Sequence, residues 1–480
     1  MKKILLFLIF TSITNSSLAG FLMQDSQQCG RYVSGKELAD NNKDLVKFEN
    51  GFFVDVPKNY NNPTGEKTQV YAFFADKFDP EKPTYVFFLG GPGQNAHQHL
   101  SFKFNFYRTL GYNFLLLDQR GISFSRFDNI DAARNIENYS SESTARDMLS
   151  VIDFLELKKV SVYGASYGTI PATIFGSLFP ERTTSVILEG VVYDGDKAIF
   201  QDMYRAKIIQ NYFSSLPIEL KSRIQSLIEN KQMTPYQLPG TLMAILMMYG
   251  QDMLSFYTKV LNLALVERQG STQVDLAKAW GDLSTQLFPA KKSYSIDAPK
   301  MSDDKCFKIE DSNDVNQILM IKEFGAAEKT TFTTFALNNG KIEAVPNSGY
   351  KKSEAYINWP EKLSFYSAKN YPVKVPLFYL QGTYDGATPS PGAVYHFKNT
   401  PQDKSQLFLF AGSPHMPTGK IINDMNDLEI EWKPLQQLFK SLLDGIPVSC
   451  QTVDQINKFY PTARMSSAGK NGIDNCKFKK

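Results

Sequence analysis

The sequence predicts an α/β fold: a mostly parallel sheet flanked by helices, with a large, mainly helical cap inserted before the sheet is complete. Two observations carry this. Short, nearly continuous apolar runs rich in β-branched and aromatic residues recur through the first 190 residues and alternate with helical periodicity. Residues 196–370 then read as mainly helical, and strand-like runs return only beyond them. That is one sheet domain carrying an insertion, not two domains in series.

The elements follow in order. Strands are expected at "QVYAFFA" (69–75), "TYVFFLG" (84–90), "NFLLLD" (113–118), "VSVYG" (160–164) and "SVILEG" (185–190). Between the third and fourth lies "SSESTARDMLSVIDFLEL". Its Met148, Leu149, Ile152, Leu155 and Leu157 recur at near-helical spacing behind Ser and Thr residues suited to capping. Helices are expected at 198–212, 216–230, 240–266, 273–288 and 314–327. The sheet resumes at "KVPLFYLQG" (374–382) and "QLFLFAG" (406–412). The expected division is therefore a leader at 1–19, a first core part at 20–195, the cap at 196–370 and a second core part at 371–480.

Lys2 and Lys3, the apolar run Ile4–Ile13 and "SLA" ending at Ala19 read as a secretory signal peptide cleaved before Gly20. The run is far short of the roughly 18 residues a membrane span requires. Cys29 lacks the small-residue context of a lipid-attachment site, so an exported, unanchored protein is expected, secreted or periplasmic. The most apolar later stretch, "LMAILMMYG" (242–250), is also too short to span and reads as core helix. Removing Lys2 and Lys3 lowers the formal net charge from +3 to +1. A near-neutral chain has no electrostatic footprint for nucleic acid.

Four cysteines, Cys29, Cys306, Cys450 and Cys476, fit two disulfides in an exported protein, although sequence alone permits three pairings. Proximity favours Cys450–Cys476, which leaves Cys29–Cys306. No two cysteines have the spacing of a zinc knuckle, and the His97–His99 pair reads as loop. Neither a metal nor a cofactor is expected.

The stretch "VSVYGASYGT" (160–169) places Ser166 between Gly164 and Gly168, after a buried strand and before the helical "TIPATIFGSLF". A nucleophile elbow needs this setting: a sharp turn strains the serine backbone, and the neighbouring strand and helix leave no room for a Cβ at the glycines. A serine hydroxyl needs a base, and the base an orienting acid. His415, in "LFLFAGSPHMP", follows a strand in a Gly/Ser/Pro loop. His396 falls in the helical "PGAVYHF" and reads as a surface or packing residue. Asp385, in "VPLFYLQGTYDGATP", lies at a strand end between the two, with Glu189 as the fallback acid. For the oxyanion, "FFLGGPG" offers the Gly91 N–H, with Tyr167 N–H as second donor; Pro92 has no N–H to give.

At these residues the chain resembles the proline iminopeptidase and tripeptidyl aminopeptidase group of α/β-hydrolase serine peptidases. The shared segments are Gly90-Gly91-Pro92-Gly93, Asp118-Gln119-Arg120-Gly121 with the ensuing Ser125, and Gly164 to Thr169. Trp359-Pro360 and the Gly382, Asp385, Thr388, Pro389 set complete them. Leu89 stands where the group often has histidine, and Ala165 where a third glycine is common. The resemblance implies an α/β-hydrolase fold and hydrolysis through Ser166, His415 and Asp385, with Asp118 and Arg120 bracing the loops beside the nucleophile. It also implies short peptide substrates whose N-terminal ammonium meets carboxylates near the cap–core junction, for which Glu189 and Glu323 are candidates. An esterase or lipase-like hydrolase is the alternative, since the same triad cleaves esters. A non-catalytic binding protein would be expected to lack a triad or oxyanion residue, and none is missing.

Overall fold

The computed structural model describes residues 51–94, 96, 106–122, 125, 136–194, 202–267, 274–287, 313–324, 333–346, 366–401, 403–427, 432–461, 463–470 and 476. The expected leader and cleavage site, Cys29, Cys306, His97, His99 and Trp359-Pro360 lie outside them.

The first half supplies β1 (Gly51–Pro57), β2 (Lys67–Phe74), β3 (Thr84–Phe88) and β4 (Asn113–Leu117). Helix α1 (Ser141–Phe154), β5 (Val160–Ala165), α2 (Thr169–Leu178) and β6 (Thr183–Glu189) follow. Helix α1 begins where the Ser/Thr cluster predicts, with the Ser140 side chain accepting from Ser143 N–H. The insertion comprises α3 (Asp202–Ser215), α4 (Ile218–Glu229), α5 (Gln237–Tyr249), α6 (Leu254–Asn262), α7 (Leu276–Leu287) and α8 (Asn313–Phe324), then the hairpin β7 (Thr333–Asn338) and β8 (Lys341–Pro346). The chain closes with β9 (Leu377–Gly382), α9 (Ser390–Asn399), β10 (Gln406–Phe410), α10 (Pro417–Asp427), α11 (Lys433–Leu443), α12 (Cys450–Phe459) and β11 (Met465–Gly469).

Nine strands form one sheet in the order β1-β2-β4-β3-β5-β6-β9-β10-β11. The six from β4 to β10 are parallel, and the pairs at the two ends are antiparallel. The parallel strands read as unbroken apolar runs because both faces are covered. Val86 and Phe88 enter one core, with α1 and α2, while Tyr85 and Phe87 enter the other, with α11 and α12. From β3 the chain moves outward to β4 and then returns to β5 on the other side. The crevice at the C-terminal ends of β3 and β5 is therefore the topological switch point, where open α/β sheets bind ligands.

The insertion differs from its reading in three ways. The helix expected at 240–266 is broken at Gly250, which has φ +70°; a Cβ there would lie 2.4 Å from the Gly412 carbonyl. The helical character gives way to the β7–β8 hairpin, whose Phe335 and Leu337 join the cap's own core. Helix α8 does not pack with the cap: Val315, Ile318, Leu319 and Phe324 join the core beneath the sheet. Cys450 and Cys476 form a disulfide that ties α12 to the segment beside β11. Among the described residues no helix is long and apolar enough to cross a membrane.

Candidate active site

Ser166 leaves β5 with φ +55°, in the left-handed region, and the chain turns at once into α2. Left-handed backbone is costly for a residue with a Cβ and persists only where the surroundings impose it. They do so here. A Cβ on Gly168 would meet the Phe88 carbonyl oxygen at 2.0 Å, and one on Gly164 would meet the Gly168 oxygen at 2.3 Å. The end of β3 thus lies directly against the elbow. Gly90 also lies against the elbow: a Cβ there would stand 3.0 Å from that of Ser166. Gly91 and Gly93 take φ of +111° and +96°. Tyr167 N–H belongs to the first turn after the strand, where helical N–H groups have no intrahelical acceptor. Both expected oxyanion donors therefore flank Ser166.

One strand along, Gly190 follows β6, and a Cβ on it would lie 2.7 Å from His415 Cε1. This places the imidazole beside the elbow, since Ala165 pairs with Glu189. His415 Nδ1 is 2.8 Å from Asp385 Oδ2 and 3.1 Å from Thr388 Oγ1. Asp385 is fully buried and accepts from five donors: Gln381 Nε2, Ala387 N, Thr388 N, Thr388 Oγ1 and His415 Nδ1. Burial alone would raise its pKa, but the charge and hydrogen bond of His415 and the bonds from Thr388 hold it below the ordinary carboxylate range. His415 is pushed down by burial and up by Asp385 and Glu189, with Arg205 opposing; the net shift is upward. An ionised Asp385 fixes the proton on Nδ1 and leaves Nε2 with a lone pair for proton transfer. No direct hydrogen bond joins Ser166 to His415 in this state. Such bonds commonly tighten only once substrate is bound.

The other predicted residues divide. Asp118 Oδ1 accepts from Ala96 N–H at 2.9 Å, and its carbonyl accepts from Ser125 Oγ, so it holds the chain beyond the glycine loop. Arg120 is fully buried, and all five of its N–H groups are used: two on Asp147 of α1, and three on the carbonyls of Lys58, Asn138 and Pro57. Both placements are those of braces. Glu189 is fully buried, with Oε1 taken by Thr418 N–H and Oγ1 and Oε2 by the Tyr163 hydroxyl. Glu323 is also buried, with Oε1 on Ser141 N–H and Oε2 on Ser141 Oγ. Burial raises both carboxyl pKa values against the pull of these bonds. Every oxygen of the two carboxylates accepts at least one hydrogen bond from a core group. His396 is 4% exposed in α9, packed edge-on to Tyr379; it is a packing residue and not a surface one.

Several contributors leave no mark of their role in the local sequence. Thr388 donates to Asp385 through both its N–H and its hydroxyl. Gln381 links Asp385 to Val191 N–H. Cap residues also fix the acid and histidine loops: Arg205 donates to the carbonyls of Gly386 and Ala387, Tyr204 to that of Thr383, and His415 N–H to that of Met247.

A serine at a strained strand-to-helix turn, with an acid and a histidine beyond later strands of the same mostly parallel sheet, is the layout of an α/β hydrolase. A family model described as the α/β-hydrolase fold matches residues 84–418, and the chain belongs to that family. Solved structures similar in fold include an α/β-hydrolase enzyme, MGS-M2, from a Medee basin deep-sea metagenome library. It is 12% identical, with a TM-score of 0.38 over 80% of this chain and 95% of that one. Another is 2-hydroxy-6-oxo-6-phenylhexa-2,4-dienoate hydrolase from Rhodococcus sp. strain RHA1, at 13% identity and a TM-score of 0.37, covering 79% and 97%. A thermophilic esterase from Thermogutta terrifontis aligns at 11% identity and a TM-score of 0.36, over 79% and 98%. No curated protein matches the chain.

Proposed function

We propose that this hydrolase is an exported serine aminopeptidase acting on the N-termini of short peptides through an acyl-enzyme. The observation that carries the serine mechanism is Ser166 at φ +55° beside an imidazole whose Nδ1 is held by Asp385. Ser166 Oγ attacks the scissile carbonyl carbon while His415 Nε2 takes its proton. The carbonyl oxygen becomes an oxyanion, met by the N–H groups of Gly91 and Tyr167. The carbon–nitrogen bond then breaks as His415 returns the proton to the departing amine. Water, deprotonated by His415, hydrolyses the ester and frees Ser166. Asp385 keeps the imidazole in the required tautomer and stabilises its cation.

The peptide preference is supported by the shared glycine-loop, D-Q-R-G and elbow segments. Export is supported by the leader-like N-terminus and by the Cys450–Cys476 disulfide, a bond at home in oxidising compartments. A specific observation favours a second reading, an esterase: Glu189 and Glu323 are buried with all their oxygens bonded to core groups, so neither is presented to a substrate ammonium. Purified protein assayed on aminoacyl- and tripeptidyl-arylamides beside short-chain esters separates the two. The peptidase reading expects arylamide turnover that is lost when the amino group is blocked. Turnover of esters alone would assign the esterase, and peptide hydrolysis surviving in Ser166→Ala would refute the mechanism.

A further inference from the structure

Helix α8 arrives at the end of the mainly helical insertion, yet its apolar side enters the core beneath the sheet. Its polar residues reach the loop after β3 directly and the turn after β5 through Ser141. Near its start, Asn316 Nδ2 donates to the Pro92 carbonyl at 2.9 Å. Pro92 sits between two glycines in left-handed conformations, a segment with little intrinsic preference for any one shape. The bond from Asn316 gives the segment carrying Gly91 N–H a fixed partner on a rigid helix.

At the other end, Glu323 accepts from Ser141 N–H at 2.7 Å and from Ser141 Oγ. Ser141 Oγ in turn meets the Tyr167 hydroxyl at 2.8 Å, and Gln119 Nε2 donates to that hydroxyl at 3.2 Å. The single proton of Ser141 goes to Glu323, so Tyr167 O–H must donate to Ser141 Oγ, and its oxygen then accepts from Gln119. The result is a directed, buried chain from Gln119 through Tyr167 and Ser141 to Glu323. It immobilises the side chain of the residue whose backbone N–H is the second oxyanion donor. Lys322, donating to the carbonyls of Glu137 and Tyr139, fastens the same end of α8 to the approach to α1.

We infer that α8 is the positioning element of the oxyanion hole, with Asn316 fixing the Gly91 side and Glu323, through Ser141, fixing the Tyr167 side. The inference rests on the serine-hydrolase reading and adds a role for residues that touch neither substrate nor triad. Positioning errors of about 1 Å can cost on the order of 100-fold in rate. Groups that act only on the oxyanion lower kcat and leave KM nearly unchanged.

Two conservative variants test it. Asn316→Asp keeps the shape but cannot donate to Pro92. Ser141→Ala keeps the bond from its N–H to Glu323 but cuts the link to Tyr167. Each is compared with wild type on whichever arylamide or p-nitrophenyl ester is turned over, with benzeneboronic acid as a tetrahedral-oxyanion mimic and thermal melting as the control for folding. The expected result is a fall in kcat of about 10- to 100-fold with KM within about twofold. Boronate affinity should weaken by a similar factor. Unchanged kcat and boronate affinity in folded Ser141→Ala, or a loss confined to KM or melting temperature, would overturn the inference. Should Asn316→Asp fail to fold, Ser141→Ala decides alone. Ser166→Ala run in parallel isolates the underlying reading: only if it too retains turnover does the serine mechanism fail.

Discussion

The two described histidines are driven in opposite directions, and the buried one yields a quantitative prediction. His396 is 4% exposed, its ring 5.2 Å edge-on to Tyr379, and its Nδ1 has no hydrogen-bond partner among the described residues. Burial pushes the imidazole from an ordinary 6.5 down to about 3. Between those limits the unfolded chain binds a proton that the folded chain does not, so stability rises with pH and is lost as pH falls below 6.5. From pH 7 to pH 5 the share lost through this one residue is about 2 kcal/mol. His396→Phe retains a flat ring for Tyr379 and cannot titrate. Urea unfolding of both proteins at the two pH values measures the effect. The stability difference between variant and wild type should move by about 2 kcal/mol in the variant's favour on acidification. An unchanged difference would mean that His396 takes up its proton in the folded state and would refute the reasoning.

Asp385→Asn should leave KM little changed and lower kcat by about 10⁴-fold, because the amide can no longer fix the imidazole tautomer; steady-state kinetics on any accepted substrate decides. His415 must be neutral to act as base and its pKa is raised, so the acid limb of kcat/KM in wild type should lie above 6.5 and move down in that variant. Arg120→Lys keeps the charge but, with three donors, gives up at least two of the five bonds to Asp147 and the neighbouring carbonyls; chemical denaturation should show a loss of about 2–4 kcal/mol. Cys450→Ser opens a bridge of sequence separation 26 and should cost about 3.5 kcal/mol of stability, against little change in kcat.

What the sequence made legible was what leaves a local mark. Fully buried parallel strands announce themselves as apolar runs, and Ser166, Asp385 and His415 stand in glycine- and proline-rich turns just beyond such runs. Strand β11, "MSSAG", has no apolar run; its place is set by pairing with β10 and by the bridge at Ser467–Cys476. The break at Gly250 is likewise invisible locally, because its cause is the Gly412 carbonyl far along the chain. Glu189 and Glu323 are eligible as recognition groups by sequence because a carboxylate near a site suits an ammonium. Most of those oxygens are occupied by residues far along the chain: Ser141, 182 positions from Glu323, and Thr418, 229 positions from Glu189.

The same long-range contacts bear on what the insertion is for. A cap that only screened substrates would touch the core at its hinges and leave the catalytic loops to the sheet. Here Tyr204 and Arg205 of α3 hold the loop on either side of Asp385, and Met247 of α5 accepts the backbone N–H of His415. Asp252 binds Lys420 and Arg464 beside that loop. Helix α8 does the corresponding work at Pro92 and, through Ser141, at Tyr167. The backbone groups so engaged would otherwise lie in loops whose glycines allow many conformations. The insertion therefore supplies part of the order that the proposed acyl transfer needs, and changes to its helices should alter turnover as well as substrate choice.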